Sequence, residues 1–276
     1  MAVDTLLFFD DIFHYSNTAA LALTPSSTEG GYHQDNVRDT SWAAAWKPTD
    51  SSSDEYWAGD AGSSAPTGAC YVAIAYDARG CDQNVIKVQV DASDNVAGTF
   101  AVNKATFTLD KRGPTVDYAV VASWGTKRYV RLYQYVADRS GTRTAKIFAF
   151  AICTGVKSMA NDFSADTPAP GDYALVSKTQ EMKTASGIVY TNRGGSTDQE
   201  FELNLNRATA STWQTIRDEL FDLDNNNRAF FLQYTGLRNY ARADFQLVRV
   251  NPRWAARRPL QDQFETSIQI ATEPWY

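Results

Sequence analysis

Residues 127–153 read KRYVRLYQYVADRSGTRTAKIFAFAIC, and the alternation inside this stretch decides the fold. Over 129–136 one side carries Tyr129, Arg131, Tyr133 and Tyr135, and the other Val130, Leu132, Gln134 and Val136. A period of two with one apolar side is the pattern of a half-buried strand. Residues 145–152 form a second strand candidate after a polar turn, so the stretch is expected to be the closing hairpin of a β-sandwich.

The same signal recurs upstream at 71–76, 85–90, 106–109 and 118–123. Several such strands joined by short turns imply an antiparallel sandwich or jelly roll. The turn at 77–80, Asp-Ala-Arg-Gly, is expected to close a hairpin between the first two. Residues 48–68 are rich in Ser, Asp, Gly and Pro yet hold Tyr56 and Trp57, and read as a long loop anchored by aromatics.

Residues 161–172, NDFSADTPAPGD, break both kinds of regular structure and mark a linker. The expected division is therefore a sandwich at 1–160 and a smaller domain at 173–276. In the latter, Phe201, Leu203 and Leu205 alternate as in a strand. Thr209 or Ser211 then caps a helix running to about Leu223, with Trp213, Ile216, Leu220 and Leu223 along its apolar stripe. Strands follow at 229–234, 244–250 and 267–273. The whole reads as a mainly β chain: an N-terminal antiparallel sandwich, then an α+β domain with an antiparallel sheet and one helix.

The formal net charge of −6 argues against non-specific nucleic-acid binding, which needs clustered cations to displace counterions from phosphates. The dense basic cluster Arg253, Arg257 and Arg258, interleaved with Trp254, reads as a protein interface or a solvated turn. Three cysteines, an odd number, do not make a disulfide framework. In the expected 71–90 hairpin, Cys70 and Cys81 would stand roughly 20 Å apart, beyond bridging. Free thiols and a reducing cytoplasm follow. The first fourteen residues contain Asp4, Asp10 and Asp11 and no basic start, unlike a signal peptide, and no apolar run reaches the length of a membrane span.

Catalytic patterns are missing. His14 and His33 stand apart without metal-ligand spacing, and there is no nucleophile elbow, phosphate loop or zinc pattern. Residues 222–227, DLDNNN, begin like a calcium loop, but the positions needing Gly and Glu hold Asn227 and Gln233. The acids Asp10, Asp11, Asp54, Glu55 and Asp60 show no spacing that sets two across a cleft. No enzyme activity, cofactor or metal is expected. Trp42, Trp46, Tyr56 and Trp57 form a candidate glycan surface, with Arg38 and Asp39, and Asp54 and Asp60 beside them, to bond sugar hydroxyls. The competing reading of these aromatics is core packing beneath the long loop.

An Asn36-Val-Arg-Asp39 segment leading to Trp42, the pair 71–90 and the Arg-Tyr-Val-Arg-Leu strand occur in the order of one family. Over residues 16–153 the chain resembles the discoidin (F5/8 type C, galactose-binding-like) domain. That resemblance implies a galactose-binding-like sandwich and, in some members, a calcium ion in the loop after the aspartate. Here only Thr40 and Ser41 separate Asp39 from Trp42, and Cys153 lacks the family's terminal partner.

The second half, with Gly194-Gly195, the 201–205 strand, the Arg217–Leu220 stretch and a last strand ending at Glu273, is similar to tube-like domains of tailed-phage tail-tip proteins. So is the start, FFDDIFHYSNTAALALTPSSTEGGYHQDNVRDTSW. That resemblance implies a virion structural protein of the distal-tail class, assembled in the host cytoplasm as a trimeric or hexameric ring with other tail proteins. Phe201, Leu203, Arg253 and Trp254 would face neighbouring subunits, and the sandwich would touch host glycans. The other expectation, of a different class, is a soluble carbohydrate-binding module with an accessory domain.

Overall fold

A computed structural model describes residues 6–13, 20–91, 100, 102–125, 127–158, 174–183, 189–209, 214, 218, 229–234, 244–250, 255–260 and 263–272. The chain divides into two compact units, Phe8–Val156 and Lys157–Tyr276, the second joined by Met1–Leu7. It is mainly β, with antiparallel pairing throughout the described ladders.

The first unit is built from β1 (Leu6–Asp11), β2 (Leu21–Leu23), β3 (Glu55–Asp60), β4 (Cys70–Asp77), β5 (Val85–Val90), β6 (Val102–Thr108), β7 (Pro114–Val121), β8 (Tyr129–Gln134) and β9 (Lys146–Ser158). One layer runs β1-β9-β4-β7 and the other β2-β3-β8-β5-β6. Their inner faces follow directly from the alternation in sequence. Val72, Ile74 and Tyr76 of β4 and Ile147, Phe150 and Ile152 of β9 meet Trp57, Ile86, Val88, Val130 and Leu132 in one core. All of these side chains are fully buried. Each such residue contributes on the order of 1.5–3 kcal/mol by leaving water.

Two expected hairpins are not hairpins. β8 belongs to the five-stranded layer and pairs with β3 and β5, whereas β9 belongs to the other and pairs with β4. Likewise β4 lies between β7 and β9, while β5 lies between β6 and β8. The turns at 77–84 and 135–145 therefore cross between layers. Alternation reports which residues face the core, and it is the same whether a turn doubles back or crosses the ~10 Å gap between sheets. Cys70 consequently stands opposite Val121, not Lys87. All three cysteines are buried and free, and burial pushes the Cys70 thiol up to about 11.

The expected 48–68 loop contains β3, which the density of Ser, Asp and Gly on either side conceals. Tyr56 and Trp57 are adjacent strand residues on opposite faces. Gly59 on the same strand has no room for a side chain: a Cβ there would lie 2.5 Å from the Phe13 ring and 2.7 Å from that of Trp57.

The second unit comprises β10 (Ala174–Lys183), β11 (Val189–Thr209), β12 (Phe230–Tyr234), β13 (Asp244–Val250), β14 (Ala255–Leu260) and β15 (Gln263–Thr272). Its strands run β10-β11-β15-β13-β12, with β14 also on β15. Phe201 and Leu203 stand opposite Ile270 and Ile268. Gln214 and Asp218 are helical and exposed, one turn apart. The apolar stripe of that helix, the linker at 161–172, the turn at 222–227, His14, Arg253 and Trp254 lie outside the described residues.

Candidate functional site

At the end of the sandwich where β4 stops and β9 starts, three segments converge. Asp77 closes β4 directly opposite Lys146, which opens β9. Trp46 exchanges backbone hydrogen bonds with Ile147 at 2.8 and 2.9 Å, which brings Lys47 to the same end. In the turn after β4, Gly80 adopts a φ of +68°, the left-handed region that glycine enters without a steric cost. Asp82 N–H donates to the Arg143 carbonyl at 2.9 Å, and Arg143 N–H donates to Asp82 Oδ2 at 3.0 Å. These bonds hold the segment leading into β9 against the turn.

The result is an open cavity of about 340 Å³ whose polar lining includes Lys47, Arg79, Arg143, Lys146, Asp50, Asp77 and Thr144. Arg79 grips Asp77 through Nε and Nη2, the latter at 2.7 Å. Arg143 reaches Asp82 at 3.0 Å, and Lys47 lies between Glu29 and Asp50. The Thr144 hydroxyl sits 3.0 Å from both the Pro48 carbonyl and Asp50 Oδ1. Lys146 forms no ion pair among the described residues, and its ammonium lies 5.4 Å from the centre of the Tyr32 ring.

The carboxylates here stay ionised into acid. Burial by itself raises Asp50, but bonds from the Thr144 N–H and hydroxyl and the Lys47 ammonium outweigh it, so the net shift is down. Burial also raises Asp77, and Arg79 and Lys146 reverse it. Arg143 holds Asp82 at about 2. Fixed acceptors therefore alternate with fixed donors around an open space, the pattern that receives the hydroxyls of a small polar ligand.

The sequence-predicted glycan residues do not line this cavity. Arg38 is buried and donates to the carbonyls of Phe13 at 2.8 Å and Ala20 at 2.7 Å, tying together chain segments at the base of the core. Trp46 and Trp57 are fully buried, and their indole N–H groups donate to the carbonyls of Ser27 and Gln34. Trp57 packs edge-on against Phe13 and Phe150. Trp42 is 7% exposed and lies on Phe148. Buried in this way, the three tryptophans leave no open ring face on which a sugar could stack. Asp39 is exposed at the end of a short 3₁₀ turn, and Tyr56 is half-buried on the outer face of β3.

Sequence reasoning missed the cavity because its side chains come from separate loops. The Asp77-Ala-Arg79 turn was read only as a turn. Asp54 and Asp60 serve structure: the first accepts from the Tyr133 hydroxyl and Val136 N–H, the second from Arg128 and Gly62 N–H.

No protein-family model matches the chain, and no curated protein does. Among solved structures, it is similar to chitosan-binding module 1 of a chitosanase/glucanase from Paenibacillus sp. IK-5, at 17% identity over 52% of this chain and 98% of that one, TM-score 0.39. It is also similar to a fucolectin from Morone saxatilis serum, at 15% identity over 53% and 48%, TM-score 0.41. A third is CBM32-1 of a family 31 glycoside hydrolase from Clostridium perfringens, at 11% identity over 50% and 95%, TM-score 0.37.

Proposed function

We propose that the sandwich unit is a carbohydrate-binding module, which holds a sugar in the loop-end cavity and performs no chemistry on it. The observation that carries this reading is the cavity itself: ion-paired Arg, Lys and Asp side chains surround open space of about 340 Å³, at the small end of the range for ligand pockets. Vicinal hydroxyls both donate and accept, so a sugar answers Asp50 and Asp77 as acceptors and Lys146 and the Arg143 edge as donors together.

The test is binding to an immobilised panel of neutral oligosaccharides, followed by calorimetry on any hit. Wild-type protein is expected to bind, and the double variant Arg143→Gln, Lys146→Gln to lose binding while keeping the wild-type melting temperature. A protein that binds no glycan, or a double variant that binds as wild type does, overturns the reading.

A second reading concerns the C-terminal unit. Among the described residues β10 ends its sheet, and β11 extends over 21 residues, so a long strand edge is offered there for pairing between copies. This supports a structural component of a phage tail tip, assembled with other tail proteins in the host cytoplasm, whose sandwich unit contacts host glycans. Native mass spectrometry over a concentration series tests it: a discrete three- or six-fold species is expected, and a monomer at every concentration counts against self-assembly.

A further inference from the structure

The outer face of the five-stranded layer carries a different surface. β8 presents Arg131 and Tyr133 there, Tyr56 of β3 stands opposite Tyr133, and Gln89 of β5 stands opposite Arg131. The Arg131 guanidinium lies 4.1 Å from the centre of the Tyr133 ring, 4.8 Å from that of Phe100 and 5.7 Å from that of Tyr56. Its Nε donates to Gln89 Oε1 at 2.8 Å and its Nη2 to the Phe100 carbonyl at 3.2 Å. Gln89 is held in turn by donating to Asn103 at 2.7 Å. Nη1 donates no hydrogen bond among the described residues.

The charges around it are otherwise settled. Arg128 is paired with Asp60 and Lys87 with Asp138. Asp54, the acid that acts on Arg131 through space, accepts the Tyr133 hydroxyl at 2.5 Å and Val136 N–H at 2.9 Å. Among the described residues no carboxylate comes within ion-pair distance of Arg131. Tyr135 extends the aromatic surface, stacked on Tyr133 with ring centres 5.5 Å apart.

We propose that this face is a second binding site, specific for an acidic polysaccharide, in which Arg131 receives the carboxylate of a uronate residue while the edges of the stacked Tyr133 and Tyr135 rings line the surface beside it. A guanidinium held between rings and lacking an acid offers its remaining N–H edge to a planar carboxylate. A nucleic acid fits less well, because its phosphates need a cluster of available cations and, among the described residues, Arg131 is the cation without an ion pair on this face. The site is independent of the loop-end cavity and stands whether or not that cavity binds a sugar.

Calorimetry with a short oligogalacturonate and with its fully methyl-esterified form tests the proposal. Wild-type protein is expected to bind the acid and not the ester, and more weakly as salt rises. Arg131→Gln should weaken binding by about tenfold or more, the effect of losing a charged hydrogen-bonding partner. Tyr135→Ala, which leaves the Arg131 hydrogen bonds in place, should weaken it as well. The cavity variant Arg143→Gln, Lys146→Gln should bind the acid as wild type does. Failure of wild-type protein to bind the acid, equal binding of acid and ester, or loss of binding only in the cavity variant overturns the proposal. The last two results leave glycan binding by the cavity standing.

Discussion

The two faces of β3 and β8 use the same residue chemistry for opposite ends. Inward, Trp57 and Leu132 stand opposite one another and are fully buried. Outward, Tyr56 and Tyr133 stand opposite one another and remain partly open to solvent. An aromatic ring that meets a second sheet becomes core, whereas one that meets a guanidinium on the outer face stays partly open to solvent. Aromatic content alone therefore does not mark a sugar platform: the strand's phase relative to the core does.

The inner face should be far less tolerant. Trp57→Ala is expected to cost about 3–5 kcal/mol, read from urea denaturation, since it empties the space between Phe13 and Phe150. Gly59→Ala should cost about 1–3 kcal/mol, because the new methyl would overlap two core rings. On the outer face, Tyr135→Ala should change stability by only about 0.5–1 kcal/mol, the scale of an exposed cation–π contact such as that with Lys87. Equal losses on both faces would erase the distinction.

Acid should act gently and in a defined window. Asp50, Asp60 and Asp77 have folded-state pKa values below those of the unfolded chain, so their contribution is fully present above about pH 4. As pH falls through the lowered folded values, the unfolded state binds more protons and that contribution is lost. Urea midpoints are expected to hold down to about pH 4 and then decline. A midpoint that falls between neutral pH and about pH 5 would show that these carboxylates are not held by their cations.

The alternation of 129–136 told correctly which side of β8 is core, and β5 and β13 fall at the expected residues. The Tyr-Arg-Tyr-Tyr face was visible in the same alternation, but nothing in sequence says that Phe100, Tyr56 and Gln89 complete its surroundings. β3 was hidden because its flanks have loop composition. For Trp46 and Trp57 the sequence leaves two readings, a sugar surface and core packing beneath the loop, and their full burial fits the second.

By itself the sequence determined the period of the best strands, the core side of that period and the β-rich class, because these depend on local spacing and on the transfer of apolar groups from water. Only the tertiary structure decided which layer each strand joins, and hence that β8 and β9 cross the core instead of pairing. It also decided that Lys47, Asp77 and Arg143 share one cavity and that Arg131 has rings for neighbours and no ion pair among the described residues. These are non-local pairings, and alternation within one strand carries no information about the strand beside it.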